Sequence, residues 1–191
     1  MIKSLLPICI LILALCHSHQ LLAQNQGESE ANHHAVFHAV ANGQPLQFDQ
    51  GVLQAFTVKE DGSVTILAQT TADILNTTNL VLNITPTDSK KKIKSGEYKI
   101  LPEDSDSKYL VRAEYAVNEN GNSSFWWTDA SQVTGGWIII DEITDSRIKG
   151  RFSITGVTEK EDGSIDTSNL VKLTDGVFDL PLEIKSRLDP S

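Results

Sequence analysis

From Arg147 to Lys185 the chain alternates. Ile148, Gly150, Phe152, Ile154 and Gly156 fall at every second position, with Arg147, Lys149, Arg151, Ser153 and Thr155 between them. Successive side chains of a strand point to opposite faces, so a period of two separates an apolar or small face from a wet one. That is the pattern of an antiparallel strand at the surface of a core. Phe178, Leu180, Leu182 and Ile184 repeat it against Asp179, Pro181, Glu183 and Lys185.

The rest of the chain reads the same way. Phe37, Ala39 and Ala41 share a face, followed by Asn42-Gly43 and then Leu46 and Phe48. Asn-Gly between apolar runs marks a hairpin, because both residues tolerate positive φ. A second hairpin turns at Asp61-Gly62, between Val52–Val58 and Val64–Thr70. The polar run Thr71–Thr78 has room for a short helical turn. Leu80, Leu82 and Ile84 align on a strand that Pro86 ends, since proline cannot donate to a ladder. Ile93–Leu101 holds a short strand. Tyr109, Val111, Ala113, Tyr115 and Val117 face one way, and the turn Asn118–Asn122 follows.

Lys59–Val64 recurs in kind as Lys160–Ile165, which is read as two hairpins choosing the same turn chemistry. The sum is all-β: about ten short strands at roughly 8–15-residue spacing, in an antiparallel β-sandwich or an up-and-down, barrel-like meander. Gly150, Gly156 and Gly176 are candidates for bulges.

The first 23 of the 191 residues are expected to be a signal peptide, with Lys3 before the apolar run Ser4–Cys16 and a polar segment ending at Ala23. The run is too short to span about 30 Å of hydrocarbon as a helix, and no later stretch is apolar enough. A lipidated Cys16 is the less favoured alternative, because Leu15 before it is larger than such a site takes. Residues 24–34 read as a disordered leader, 35–185 as a single all-β domain and 186–191 as a tail. Both cysteines, Cys9 and Cys16, lie in the signal, so the domain has neither disulfide nor thiolate chemistry and relies on an ordinary core. A formal charge of −9 argues against nucleic acid, which needs clustered cations. Lys90, Lys91, Lys92 and Lys94 form the one basic run, read as a solvated turn.

Several short motifs occur in a set order: Phe37, Ala39, Asn42-Gly43; Ser95–Tyr98; Gly136, Ile138, Ile140; Ile148–Ser153; and Leu173–Gly176 with Phe178. In that order the chain resembles an uncharacterised family of small exported or lipid-anchored β-domains of the Bacteroidetes. The resemblance implies an all-β fold and an envelope location, and it brings no catalytic residues.

Phe125-Trp126-Trp127 is the strongest local candidate for a ligand site. Neighbours on a strand point to opposite faces, so the two indoles cannot share one core; exposed indoles stack on sugar rings or anchor interfaces. Trp137 is expected in the core. His33, His34 and His38 lack the convergence a metal site requires. Asp141, Glu142 and Asp145, like Glu103, Asp104 and Asp106, lack the spacing of a calcium loop. No nucleophile elbow, phosphate loop or zincin motif is present. No metal or cofactor is expected.

These readings converge on an exported, non-enzymatic binding or interaction module of the cell envelope, periplasm or extracellular space. Its partner would be a glycan, a small molecule or an envelope protein. The alternatives are a structural envelope module without a ligand, and a carboxylate-based hydrolase.

Overall fold

The computed structural model describes residues 35–48, 52–101, 105–128, 135–160 and 162–187. Among them are eleven strands: β1 (Val36–Ala41), β2 (Gln44–Pro45), β3 (Val52–Val58), β4 (Val64–Gln69), β5 (Thr78–Pro86), β6 (Gly96–Lys99), β7 (Tyr109–Glu119), β8 (Asn122–Trp127), β9 (Gly136–Ile143), β10 (Arg147–Glu159) and β11 (Ile165–Lys185). No helix occurs among the described residues. The all-β expectation is met.

The long alternating stretch forms the β10–β11 hairpin, and everything else is arranged along its two edges. β1 and then β3 follow one another along β11, while β9 and β8 do the same along β10. The result is one continuous eleven-stranded sheet, β2-β1-β11-β3-β4-β5-β7-β8-β10-β9-β6, which the additional β11–β10 pairing closes on itself. It divides at the hairpin into a six-stranded sheet, β2-β1-β11-β10-β9-β6, and a five-stranded sheet, β3-β4-β5-β7-β8. The two are joined at both ends of the hairpin, through Leu182–Lys185 against Ala55–Val58 and through Val157 against Trp127. Side chains from both sheets meet in one core that includes Phe37, Ile66, Leu82, Ile138, Phe152 and Phe178. Each such large apolar side chain contributes about 1.5–3 kcal/mol on burial.

Two features depart from a plain antiparallel meander. The β11–β3 pairing is parallel, and β11 runs for 21 residues. Bulges allow both. Asp175, at φ 52°, belongs to a bulge opposite both neighbours: Thr174–Asp175 face Ser153 of β10, and Asp175–Gly176 face Ala39 of β1. Further shifts occur beside Gly150 and after Gly156. Each bulge bends and twists its strand, so a single strand serves first one sheet and then the other.

Gly150 and Gly176 have a further reason to be glycine. Gly150 pairs with Phe178, and Phe152 pairs with Gly176. A Cβ on Gly150 would lie 2.5 Å from the Phe178 ring and 2.1 Å from the Ile139 carbonyl oxygen; one on Gly176 would lie 2.5 Å from the Phe152 ring. Two rings lie across two glycines, which locks the register of the hairpin.

The turns follow their chemistry. Asn42-Gly43 (φ 49° and 83°) and Asn120-Gly121 (φ 52° and 80°) make the tight hairpins β1–β2 and β7–β8. In the echoed turns, the Ser63 and Ser164 amides donate to Asp61 and Asp162 at 2.9 Å each. Thr71–Thr78 is not helical. It is a hydrogen-bonded loop, because Thr71, Asp73 and Thr77 bond the local backbone and compete with a helix. Ile184 is 60% exposed, against the alternation that predicts it inside: the core ends at Leu182. Ser186 and Arg187, just past the strand, are tied down, since Ser186 Oγ and the Arg187 amide and guanidinium donate to Glu60 and Asp61.

Candidate functional site

The register of β7 against β8 decides which way each aromatic points. Trp127 lies opposite Glu114, Trp126 opposite Tyr115 and Phe125 opposite Ala116. Tyr115 is buried in the core, so Trp126 faces inward, its ring 5.7 Å from that of Tyr115. Phe125 and Trp127 face outward together. Their ring centroids are 5.8 Å apart at 27°, within the range of an offset stack.

The three aromatics therefore divide. Two form a ridge on the outer face of the five-stranded sheet and one packs beneath it. The inward indole is not fully satisfied: Trp126 Nε1 is buried and meets no acceptor among the described residues. Trp137 also departs from expectation. Ile138 and Ile140 take the inward positions of β9, so strand parity puts Trp137 half-buried on the outer face of the six-stranded sheet.

Pairing across the five-stranded sheet sets the neighbours of the ridge. One row runs Gln54, Leu67, Val81, Glu114, Trp127, and the next runs Val52, Gln69, Asn79, Ala116, Phe125. A third brings Thr65, Asn83 and Arg112 alongside. The polar members bond laterally. Gln69 Nε2 donates to Asn79 Oδ1 at 2.7 Å, Asn83 Nδ2 to Thr65 Oγ1 at 2.9 Å, and Thr85 Oγ1 to Asn83 Oδ1 at 2.7 Å. A side-chain amide has two donor hydrogens and two acceptor lone pairs, so half-buried Asn79 and Asn83 keep capacity for a ligand, whereas Gln69 is buried.

Glu114 stands between Val81 and Trp127, half-buried. Burial pushes its carboxyl above the usual carboxylate range, against the pull of Arg112. At the end of the row, Val157 pairs with Trp127 and is fully buried, so this indole also stands beside a dry residue.

The other sequence candidates are dispersed. Cys9, Cys16, His33, His34, Glu103 and Asp104 lie outside the described residues. His38 is exposed on β1, while Asp141, Glu142, Asp145 and Asp106 are exposed, Asp141 lying 3.4 Å from Arg151. Among the described residues no three His, Cys, Asp or Glu side chains gather as a metal site would require. No helix there is long and apolar enough to cross a membrane. Sequence reasoning found the aromatics but missed Glu114 and the amide rows. Their only signal was polar residues alternating with apolar ones, which every half-exposed strand shows.

Comparison with protein-family models, with curated proteins and with solved structures returns no match.

Proposed function

We propose that the chain is an exported binding domain that performs no chemistry of its own, with its ligand on the outer face of the five-stranded sheet. The observation that carries this reading is the stacked pair Phe125–Trp127 beside half-buried Glu114, on a face lined with side-chain amides and hydroxyls. Nothing in an all-β fold requires an aromatic ridge on its wet side. A half-buried carboxylate there costs stability unless something compensates it.

The chemistry of that face suits a polyhydroxylated ligand. Aromatic rings accept the apolar face of a sugar, and amides and a carboxylate bond its hydroxyls with fixed planar geometry. We place this domain in the cell envelope, in line with the signal-like residues 1–23. The intact mass of the processed protein tests that location: a chain starting at Gln24 or a diacylated Cys16 agrees with export, and an unprocessed chain ends it.

The ligand reading is tested by a glycan array followed by tryptophan-fluorescence titration of the best binder. Phe125→Ala with Trp127→Ala is expected to abolish the titration while the thermal midpoint stays within a few degrees. Should that double variant unfold, Asn83→Ala supplies the check, since it alters the polar row and leaves the ridge intact. A ligand bound equally well by wild type and Asn83→Ala, or no glycan bound at all, would rule out this site.

A further inference from the structure

At one tip of the molecule the loop between β4 and β5 is fastened to the β7–β8 turn. Within the loop, the Leu75 amide donates to Asp73 Oδ1 at 3.0 Å, Asn76 Nδ2 to Asp73 Oδ2 at 2.9 Å, and Thr77 Oγ1 to the Thr71 carbonyl at 3.1 Å. Across to the hairpin, Asn118 Nδ2 donates to the Ile74 carbonyl at 3.1 Å, the Asn120 amide to Asn76 Oδ1 at 3.0 Å, and the Gly121 amide to the Leu75 carbonyl at 3.2 Å. So many bonds hold the loop in one conformation.

What the loop holds out is apolar. Ile74 is 46% exposed and Leu75 55%. Two large aliphatic side chains displayed to water on a rigid loop are unfavourable for the free protein and favourable for a partner, because the backbone is already ordered and only side-chain freedom is lost on docking. Beside them, on the inward side of the same hairpin, is a groove of about 390 Å³ lined by Val117, Trp126, Ser124, Glu119, Asn120 and Asn122. Val117 and Trp126 are its apolar members, and the other four are polar or charged. That volume is at the small end of ligand sites, which run from about 300 to 1,000 Å³. It fits one or two side chains rather than an extended polymer.

Charge selects the partner. Among the described residues, Asp73 and Glu119 are the charged groups of this tip, and neither forms an ion pair there. Hydrogen bonds from Asn76 and from the Leu75 amide hold Asp73 below the usual carboxylate range, so it stays ionised. We propose that the Ile74–Leu75 loop and the Trp126 groove dock a polypeptide segment whose apolar anchor side chain is flanked by Lys or Arg. The anchor enters the groove over Trp126 and Val117, the cation reaches Glu119 or Asp73, and Ile74 and Leu75 cover the segment. This site lies on the inward side of β8, apart from the outward ridge of Phe125 and Trp127.

The test is amide and indole NMR of the full domain titrated with three acetylated, amidated peptides: Gly-Lys-Leu-Phe-Lys-Gly, its glutamate counterpart Gly-Glu-Leu-Phe-Glu-Gly, and Gly-Lys-Ser-Ser-Lys-Gly. The first is expected to shift Leu75, Asn120, Ser124 and the Trp126 indole, at least tenfold more strongly than the other two. Leu75→Ser, an exposed substitution, is expected to weaken that binding about tenfold, and Glu119→Gln to erase the preference for lysine over glutamate. Trp127→Ala should leave the shifts unchanged, which separates this site from the outer face. Absence of shifts with every peptide, equal shifts with the acidic peptide, or the same shifts with vesicles of phosphatidylcholine alone would overturn the proposal.

Discussion

The two sheets solve the same problem in different ways. Each must keep one face dry and the other in water. On the six-stranded sheet the outer face carries ion pairs beside half-buried Trp137. Arg147 donates to both carboxylate oxygens of Asp179 at 2.7 and 2.5 Å, and Arg151 approaches Asp141. On the five-stranded sheet the described partners along the middle of the outer face are amides and hydroxyls, with the Phe125–Trp127 ridge at one side. Ion pairs are an ordinary way to keep a sheet surface soluble. A face of amides, rings and one half-buried carboxylate is not needed for that purpose. The proposed ligand site rests on that difference between the faces.

The largest test of the comparison lies inside the six-stranded sheet. Gly176→Ala places a methyl against the Phe152 ring and is expected to cost about 3 kcal/mol, read as a fall in the urea midpoint. If the ring simply turned away at little cost, the glycine–phenylalanine interlock would not be what fixes the register.

Trp126→Phe comes next. It removes some buried area and also a donor without an acceptor, two effects of opposite sign. The net change is expected to stay within about 1 kcal/mol, less than truncation of a satisfied buried indole. A loss above about 2 kcal/mol in chemical denaturation would mean that the indole nitrogen is bonded after all.

Glu114→Gln probes the outer face of the five-stranded sheet. Because the folded carboxyl has the higher pKa, the native state binds more protons than the unfolded chain between the usual carboxylate value and the raised one. Stability therefore falls as pH rises through that window. The penalty is complete above it and absent below it. The variant should be more stable than wild type at neutral pH, by less than about 1 kcal/mol, and equal to it in acid. Paired melts at pH 7 and pH 3 decide the matter; a gain that persists in acid would trace to packing instead.

Salt has the smallest effect. The exposed Arg151–Asp141 contact is screened at about 1 M salt, while bonds among amides are not. Arg151→Ala should lower the thermal midpoint slightly at low salt and not at all at high salt. Asn83→Ala should show the same loss at both.

Much of the fold was legible in the chain itself. A period of two needs no tertiary information, so β10, β11, β7 and β5 were visible as strands. Asn42-Gly43 and Asp61-Gly62 announced their turns because few residues accept positive φ. Adjacency also dictated that Trp126 and Trp127 must part. Local chemistry could not give the partner of each strand. The parallel β11–β3 contact joins segments more than a hundred residues apart, and nothing in either segment names the other. Trp137 and Ile184 were misplaced for the same reason. Alternation says that two positions share a face, but which face meets the core, and where that core stops, depends on packing from other sheets.

Glu114 makes the same point about the site. In the sequence it is one of 25 acidic residues. Only the register that sets it between Val81 and Trp127 removes it from water and makes it unlike the rest. Sequence fixes the local period and the turns, because those depend on backbone sterics over a few residues. Tertiary structure decides register, burial and which side chains gather on each face, because those depend on which distant surfaces exclude water together.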